Sequence, residues 1–152
     1  MSDNVSKAIA LNLEFANTAP LKTQIVIDEI QTLSDYLRAS ARNATKIALL
    51  IDEKVDSSWG EVVQKSLLLE KFTLSKYVVA SGEDSKSLSL LEKISEQLIS
   101  NGVGRNDILV ACGGGVVGDL GGLIASLYMR GTRLIQVPTT LIAQGDSAIG
   151  GK

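Results

Sequence analysis

The stretch ILVACGGGVVGDLGGLIASLYM, residues 108–129, decides how the rest of the chain is read. It carries one charge, Asp119, and by length and apolarity it would fit a membrane span. The triple glycine inside it would weaken such a helix, and nothing in the stretch would pair a buried aspartate. A buried strand, a tight turn and a buried helix account for it better. ILVAC supplies the strand, Gly113 to Gly115 the turn, and VVGDLGGLIASLYM, residues 116–129, the helix.

The same alternation continues upstream and downstream. TQIVID (23–28), KIALLID (46–52), SKYVVA (75–80), DILVAC (107–112) and TRLIQV (132–137) read as strands. Two of them, KIALLID and DILVAC, are near-continuous apolar runs, as expected of strands buried on both faces of a parallel sheet. Between the strands, residues 29–40 and 57–69 read as helices. The clearest helix follows SKYVVA: Asp84 or Ser85 can cap it, Leu88, Leu91, Ile94 and Leu98 form one apolar stripe, and Gly102 ends it. Strands joined by helical crossovers predict a Rossmann-like α/β fold, an open, mostly parallel sheet with helices on both faces. Residues 1–152 read as one domain, with no internal repeat and no low-complexity linker.

Composition narrows the function. Hydrophobic residues make up 45% and charged residues 21%, as in a soluble globular protein. A formal charge of −2 argues against a nucleic-acid or polybasic membrane partner. Cys112 is the lone cysteine, so no intrachain disulfide forms and a reducing, cytoplasmic setting is expected. There is no histidine, which removes the commonest general base and transition-metal ligand.

In open α/β sheets ligands bind at the carboxyl ends of the strands, and three polar segments fall there. Ten of the 14 glycines lie in residues 113–152, and the densest group, GGGVVGD (113–119), sits where a helix N-terminus would present free N–H groups to a phosphate. The strict GxGxxG spacing is missing, and a tight strand-to-helix turn would need the same glycines. SGEDSK (81–86) offers carboxylates and Lys86 for a ribose, adenine or phosphate, or simply a solvated loop with a helix cap. PTTLIAQGDSAIGGK (138–152) brings Thr139 and Thr140 directly after a strand, followed by Asp146 and Lys152, isolated charges in an apolar, glycine-rich setting. Asp52, closing KIALLID, could meet a ribose or cap the next helix. Gly121 and Gly122 lie inside the predicted helix and read as helix–sheet packing or as close approach to a cofactor. Cys112 reads as a small buried hydrophobe, and Trp59 as ordinary packing.

SGEDSK, GGGVVGDLGGLIASLYMRG and LIQVPTTLIAQGDSAIGGK together resemble the amino-terminal domain of the 3-dehydroquinate synthases, a branch of the sugar-phosphate cyclases. The likeness runs through the second half of the chain; the first half matches only in its strand–helix rhythm and in LIDEKV (50–55). The resemblance implies an enzyme of the shikimate pathway, which supplies aromatic amino acids and chorismate. Its reaction turns 3-deoxy-D-arabino-heptulosonate 7-phosphate into 3-dehydroquinate and phosphate. A transient NAD-dependent oxidation, phosphate elimination, re-reduction and an aldol ring closure follow one another.

The resemblance also assigns residues. Ser81, Gly82, Glu83, Asp84, Ser85 and Lys86 correspond to the loop for the cofactor's adenosine side, with Glu83 and Lys86 as its polar contacts and Asp52 a weaker match nearby. Gly114, Gly115, Val116, Val117, Gly118 and Asp119 correspond to the pyrophosphate turn, and Thr139 and Thr140 to hydroxyls near the nicotinamide ribose. Asp146, Ser147 and Lys152 fall at the junction of cofactor and substrate. Arg130 corresponds to a residue that reaches the substrate phosphate of a neighbouring subunit in the family's homodimer. Gly145 departs from the family, which commonly has valine there, and loosens the loop that aims Asp146. The family's divalent metal, zinc or cobalt, is held by a glutamate and two histidines on a second, mainly helical domain. With no histidine and no such domain here, the metal site is expected beyond Lys152, and these 152 residues are expected to be catalytically incompetent alone. Another sugar-phosphate cyclase and a non-catalytic nucleotide-binding module remain open alternatives.

Overall fold

The computed structural model describes residues 9–13, 23–27, 30–40, 43–68 and 72–149. Four parallel strands form the central sheet: β3 (Lys46–Asp52), β4 (Thr73–Val79), β5 (Ile108–Gly113) and β6 (Arg133–Pro138), in the order β4-β3-β5-β6. Ile47 pairs with Leu74 on one side and with Ile108 on the other, and Ile108 with Arg133, so the strands run in step and end together. The expected α/β architecture is therefore present.

β1 (Ile9–Leu13) and β2 (Thr23–Ile27) pair antiparallel in a separate two-stranded sheet. The strand expected over 23–28 thus lies outside the parallel sheet, and β1 is an element the sequence reading missed. Short alternating segments show that a strand forms but carry no record of its partner.

Alternation along the buried strands sorts the core into two layers. Ile47, Leu49, Ile51, Ile108, Val110 and Cys112 face α1 (Leu33–Ser40) and α2 (Glu53–Leu67), where Leu37, Val63 and Leu67 meet them. Ala48, Leu50, Leu109 and Ala111 face α3 (Leu88–Ser100) and α4 (Gly115–Leu127) through Ile94, Leu98, Val117, Leu120 and Ile124. β3 and β5 are buried on both faces, as their apolar runs require.

Helix limits differ from expectation at caps. α2 begins at Glu53 rather than at residue 57, because Asp52 closes β3 and caps the helix at once. α3 is capped by Ser87, whose side chain accepts from the Leu90 amide; Asp84 and Ser85 instead lie in a 3-10 turn, Glu83–Ser85. With the cap moved, Leu88 falls in the first turn and is 78% exposed, so the buried stripe reduces to Ile94 and Leu98, with Leu91 beside it. Gly102, at φ +64, ends α3 as expected, and Val103 N–H returns to Leu98 O. Lys46, at the start of β3, donates to the carbonyls of Asn101 and Gly102 at that helix end. Gly121 is the packing glycine of α4: a Cβ on it would stand 2.6 Å from Ala111 Cβ, while one on Gly122 would meet nothing within 4 Å. A last helix, α5 (Leu141–Gly145), was not expected. No described helix is long and apolar enough to cross a membrane.

Candidate functional site

Because β3 connects to β4 on one side while β5 and β6 lie on the other, the chain reverses direction between β3 and β5. The carboxyl ends of those two strands mark the topological switch point, where crevices open in sheets of this kind. A cleft of about 700 Å³ lies there, lined by Asp52, Ser81, Gly114, Thr139 and Thr140. Lys54, Ser58 and Trp59 of α2 form its opposite wall. Trp59 is 60% exposed, which corrects its reading as ordinary packing. It shares this wall with Val55, Val62 and Val63 of the same helix.

Asp52 caps the next helix, one of the two roles its position allowed, and also reaches the neighbouring strand end. Its Oδ1 accepts from the amides of Lys54 and Val55, and both of its oxygens accept from the Ser81 hydroxyl at 2.9 Å. Glu53 accepts from the Ser81 amide at 2.9 Å. The ends of β3 and β4 are thereby tied into one rim. Gly82 turns the chain at φ +116, and the Ser85 hydroxyl donates to Ala80 O. Asp84 lies exposed in the 3-10 turn, and the buried Ser85 serves the loop's own shape.

Lys86 sits between two carboxylates, 3.0 Å from Asp119 and 3.0 Å from Glu83. Hydrogen bonds, first to Asp119 and then to Glu83, raise its pKa and keep it charged. The SGEDSK loop is thus latched onto α4.

The glycine turn has the form that close approach needs. Gly114 caps α4 with no side-chain hydrogen bond, and the first helical bond runs from Gly118 N to Gly114 O. The amides of Gly115, Val116 and Val117 precede that bond, and a Cβ on Gly115 would meet nothing within 4 Å. The Val117 side chain is fully buried in the core, so its backbone is the part near the turn. On the neighbouring strand, Thr139 N–H donates to Gly113 O at 2.9 Å, extending the ladder past the strand ends. Thr140 caps α5 by accepting from Ala143 N–H.

Other expected residues lie apart from the cleft. Asp146 is exposed at the carboxyl end of α5, and Ser147 is buried beside Gly118. Arg130 follows α4 and precedes β6, at the opposite end of the sheet; the 13-residue helix separates it from the glycine turn by about 20 Å. Met129 and Arg130 both have positive φ, 50° and 61°. Lys152 lies outside the described residues.

Cys112 is buried under the cleft, and its pKa is pushed up to about 12 by burial and then by the charge of Asp52, so it is an inert thiol. Among the described residues no group of three or more His, Cys, Asp or Glu could hold a metal ion.

The sequence profile of the family described as 3-dehydroquinate synthase N-terminal matches residues 76–152, just over half of the chain. The chain belongs to the 3-dehydroquinate synthase family. It is 51% identical over 107 residues to the 3-dehydroquinate synthase of Streptococcus thermophilus and 49% identical over 107 residues to that of Enterococcus faecalis. In each case the match takes in 70% of this chain and 30% of the relative, so the chain spans about a third of the synthases it matches. Among solved structures, 2-deoxy-scyllo-inosose synthase superposes with a TM-score of 0.76 at 24% identity, over 91% of this chain and 37% of the other, and shares the fold. The 2-epi-5-epi-valiolone synthase of Streptomyces hygroscopicus, solved with NAD+ and Zn2+ bound, superposes with a TM-score of 0.65 at 32% identity, over 74% of this chain and 32% of the other.

Proposed function

We propose that this chain is the NAD-binding part of a 3-dehydroquinate synthase, which acts on 3-deoxy-D-arabino-heptulosonate 7-phosphate. The observation that carries the reading is the bare turn at Gly114 and Gly115. It lies at the switch point, between the Asp52–Ser81 rim and the Thr139–Thr140 exit, and it opens a helix whose first amides lack a side-chain cap. Identities near 50% to 3-dehydroquinate synthases, against 32% and 24% to the two cyclases that make other carbocycles, favour this substrate over theirs.

NAD fits the residues present. The amides of Gly115, Val116 and Val117, with the positive end of α4, receive the pyrophosphate. Asp52 holds ribose hydroxyls, Glu83 and Lys86 border the adenosine side, and the hydroxyls of Thr139 and Thr140 orient the nicotinamide ribose. NAD supplies a hydride acceptor that is regenerated within each turnover. The chain binds and orients, with Trp59 and other residues of α2 lining the cleft. Asp146 and Lys152 serve the junction of cofactor and substrate, and Arg130 serves a second copy. The described residues do not fit a metal, and no step here runs through one.

Titration calorimetry with NAD+ and with ADP-ribose tests the reading. Both should bind, because the adenosine, pyrophosphate and ribose that these residues serve are common to the two ligands. An absence of heat at millimolar concentrations of both would sink it.

A further inference from the structure

The geometry points to Gln136 as a positioning residue that holds the turn carrying Asp146 against the first turns of α4. The inference rests on the reading of Asp146 as a residue of the cofactor–substrate junction. β6 reads RLIQVP; Leu134 packs with the α3–α4 layer, while Ile135 and Val137 pack with the α1–α2 layer. Alternation puts Gln136 on the α4 side, where an aliphatic residue would fill the space.

An amide does something there that an aliphatic residue cannot. Gln136 Nε2 donates to the Ser147 carbonyl at 3.1 Å, across 11 positions of sequence. Its Oε1 lies 2.9 Å from the point where a Cβ on Gly118 would stand, and Ser147 Oγ lies 2.7 Å from that same point. Gly118 is therefore a seat for both side chains, open because it has none of its own.

Ser147 is 5% exposed and its hydroxyl has no hydrogen-bond partner among the described residues. Burying a hydroxyl without a partner is unfavourable, so the turn is not drawn in by that group. The backbone bond to Gln136 opposes the cost. Ala148 N–H to Ala143 O and Ile149 N–H to Asp146 O shape the turn internally, whereas Gln136 anchors it to the sheet. Asp146 is part of this turn, so a shift of the turn moves its carboxylate with it.

The test is a double-mutant cycle on this chain with NAD+ as the probe. Gln136→Met keeps the volume and removes the donor; Asp146→Asn removes the carboxylate. Calorimetry gives the NAD+ dissociation constants of the wild type, both single variants and the double, and amide exchange of Ala148 and Ile149 is followed without NAD+. Gln136→Met should weaken NAD+ binding about five- to tenfold when Asp146 is present and less than about twofold when it is asparagine. It should also speed exchange at Ala148 and Ile149 at least about tenfold while β5 amides keep their protection. Equal losses in both backgrounds overturn the proposal, as does unchanged exchange. If Gln136→Met does not fold, Gln136→Leu, which also lacks the donor and adds no charge, carries the same expectations. A wild-type chain that takes up no NAD+ overturns the cofactor reading itself, and the proposal falls with it.

Discussion

Replacing Asp107 with alanine tests whether one buried carboxylate holds the amino end of the sheet together. Asp107 is 6% exposed. Its Oδ1 accepts from the amides of Thr45 and Lys46, each at 2.9 Å, and its Oδ2 from the amide of Gly104 at 2.7 Å. The start of β3 is thereby pinned to the turn before β5. The variant leaves three amides without their acceptor. A buried group so orphaned costs about 1–3 kcal/mol, and water reaching this part-buried site reduces the sum to about 3 kcal/mol, a large share of a domain's stability.

The pH dependence follows from the same contacts. Burial pushes the carboxyl's pKa up, but the bonds from Gly104, Thr45 and Lys46 outweigh it and hold the pKa below the usual carboxylate range. The folded pKa lies below the unfolded one, so the stabilisation is complete above about pH 4 and fades as pH falls through the folded value. Urea unfolding followed by circular dichroism is the assay. With a slope of about 2 kcal/mol per molar, Asp107→Ala should lower the midpoint at pH 7 by about 1.5 M, and the difference from wild type should shrink towards about pH 3. A midpoint unchanged at neutral pH, or a difference that stays constant on acidification, would refute the reasoning.

Adjacent glycines of α4 should respond oppositely. Gly121→Ala forces a Cβ to within 2.6 Å of Ala111 Cβ and should cost about 1–3 kcal/mol, whereas Gly122→Ala meets open space and should stabilise by up to about 1 kcal/mol; thermal unfolding that ranks them the other way would contradict the packing described. Cys112 should resist thiol reagents at about pH 8 in the folded chain and react only as fast as the chain opens, so rapid labelling under native conditions would count against its burial. Lys86→Met should lower stability by less than about 1 kcal/mol, because its ion pairs are partly exposed, yet weaken NAD+ binding at least about tenfold by leaving Glu83 and Asp119 uncompensated; equal affinity in a titration would separate Lys86 from the cofactor.

The parallel sheet was legible because its central strands are apolar without interruption and its glycine turn falls directly after one of them. The positions of Asp52, Ser81, Gly114, Thr139 and Thr140 at strand ends were legible for the same reason: strand ends are where chain direction and hydropathy change together. Caps were less so. Asp84, Ser85 and Ser87 are all capable of capping, and only the 3-10 turn that consumes the first two decides for Ser87. α5 is five residues long, too short for a periodic pattern. Asp107 and Gln136 were missed because the bonds that tie them to other elements reach 61 and 62 positions from Asp107, beyond its local bond to Gly104, and 11 from Gln136. No local pattern records such a contact. Trp59 was misread because an aromatic residue in a helix looks alike whether it faces the core or an open cleft.

Gly115→Leu tests the central claim most directly, because it separates the fold from the ligand. The position is the first residue of α4 and has open space around it, so the fold should tolerate leucine with stability unchanged or slightly higher. The same side chain would stand where the pyrophosphate approaches the helix amides. Calorimetry should therefore find NAD+ bound by the wild-type chain and binding weakened at least about 30-fold in a fully folded variant. A folded Gly115→Leu chain that binds NAD+ as tightly as the wild type would contradict the account.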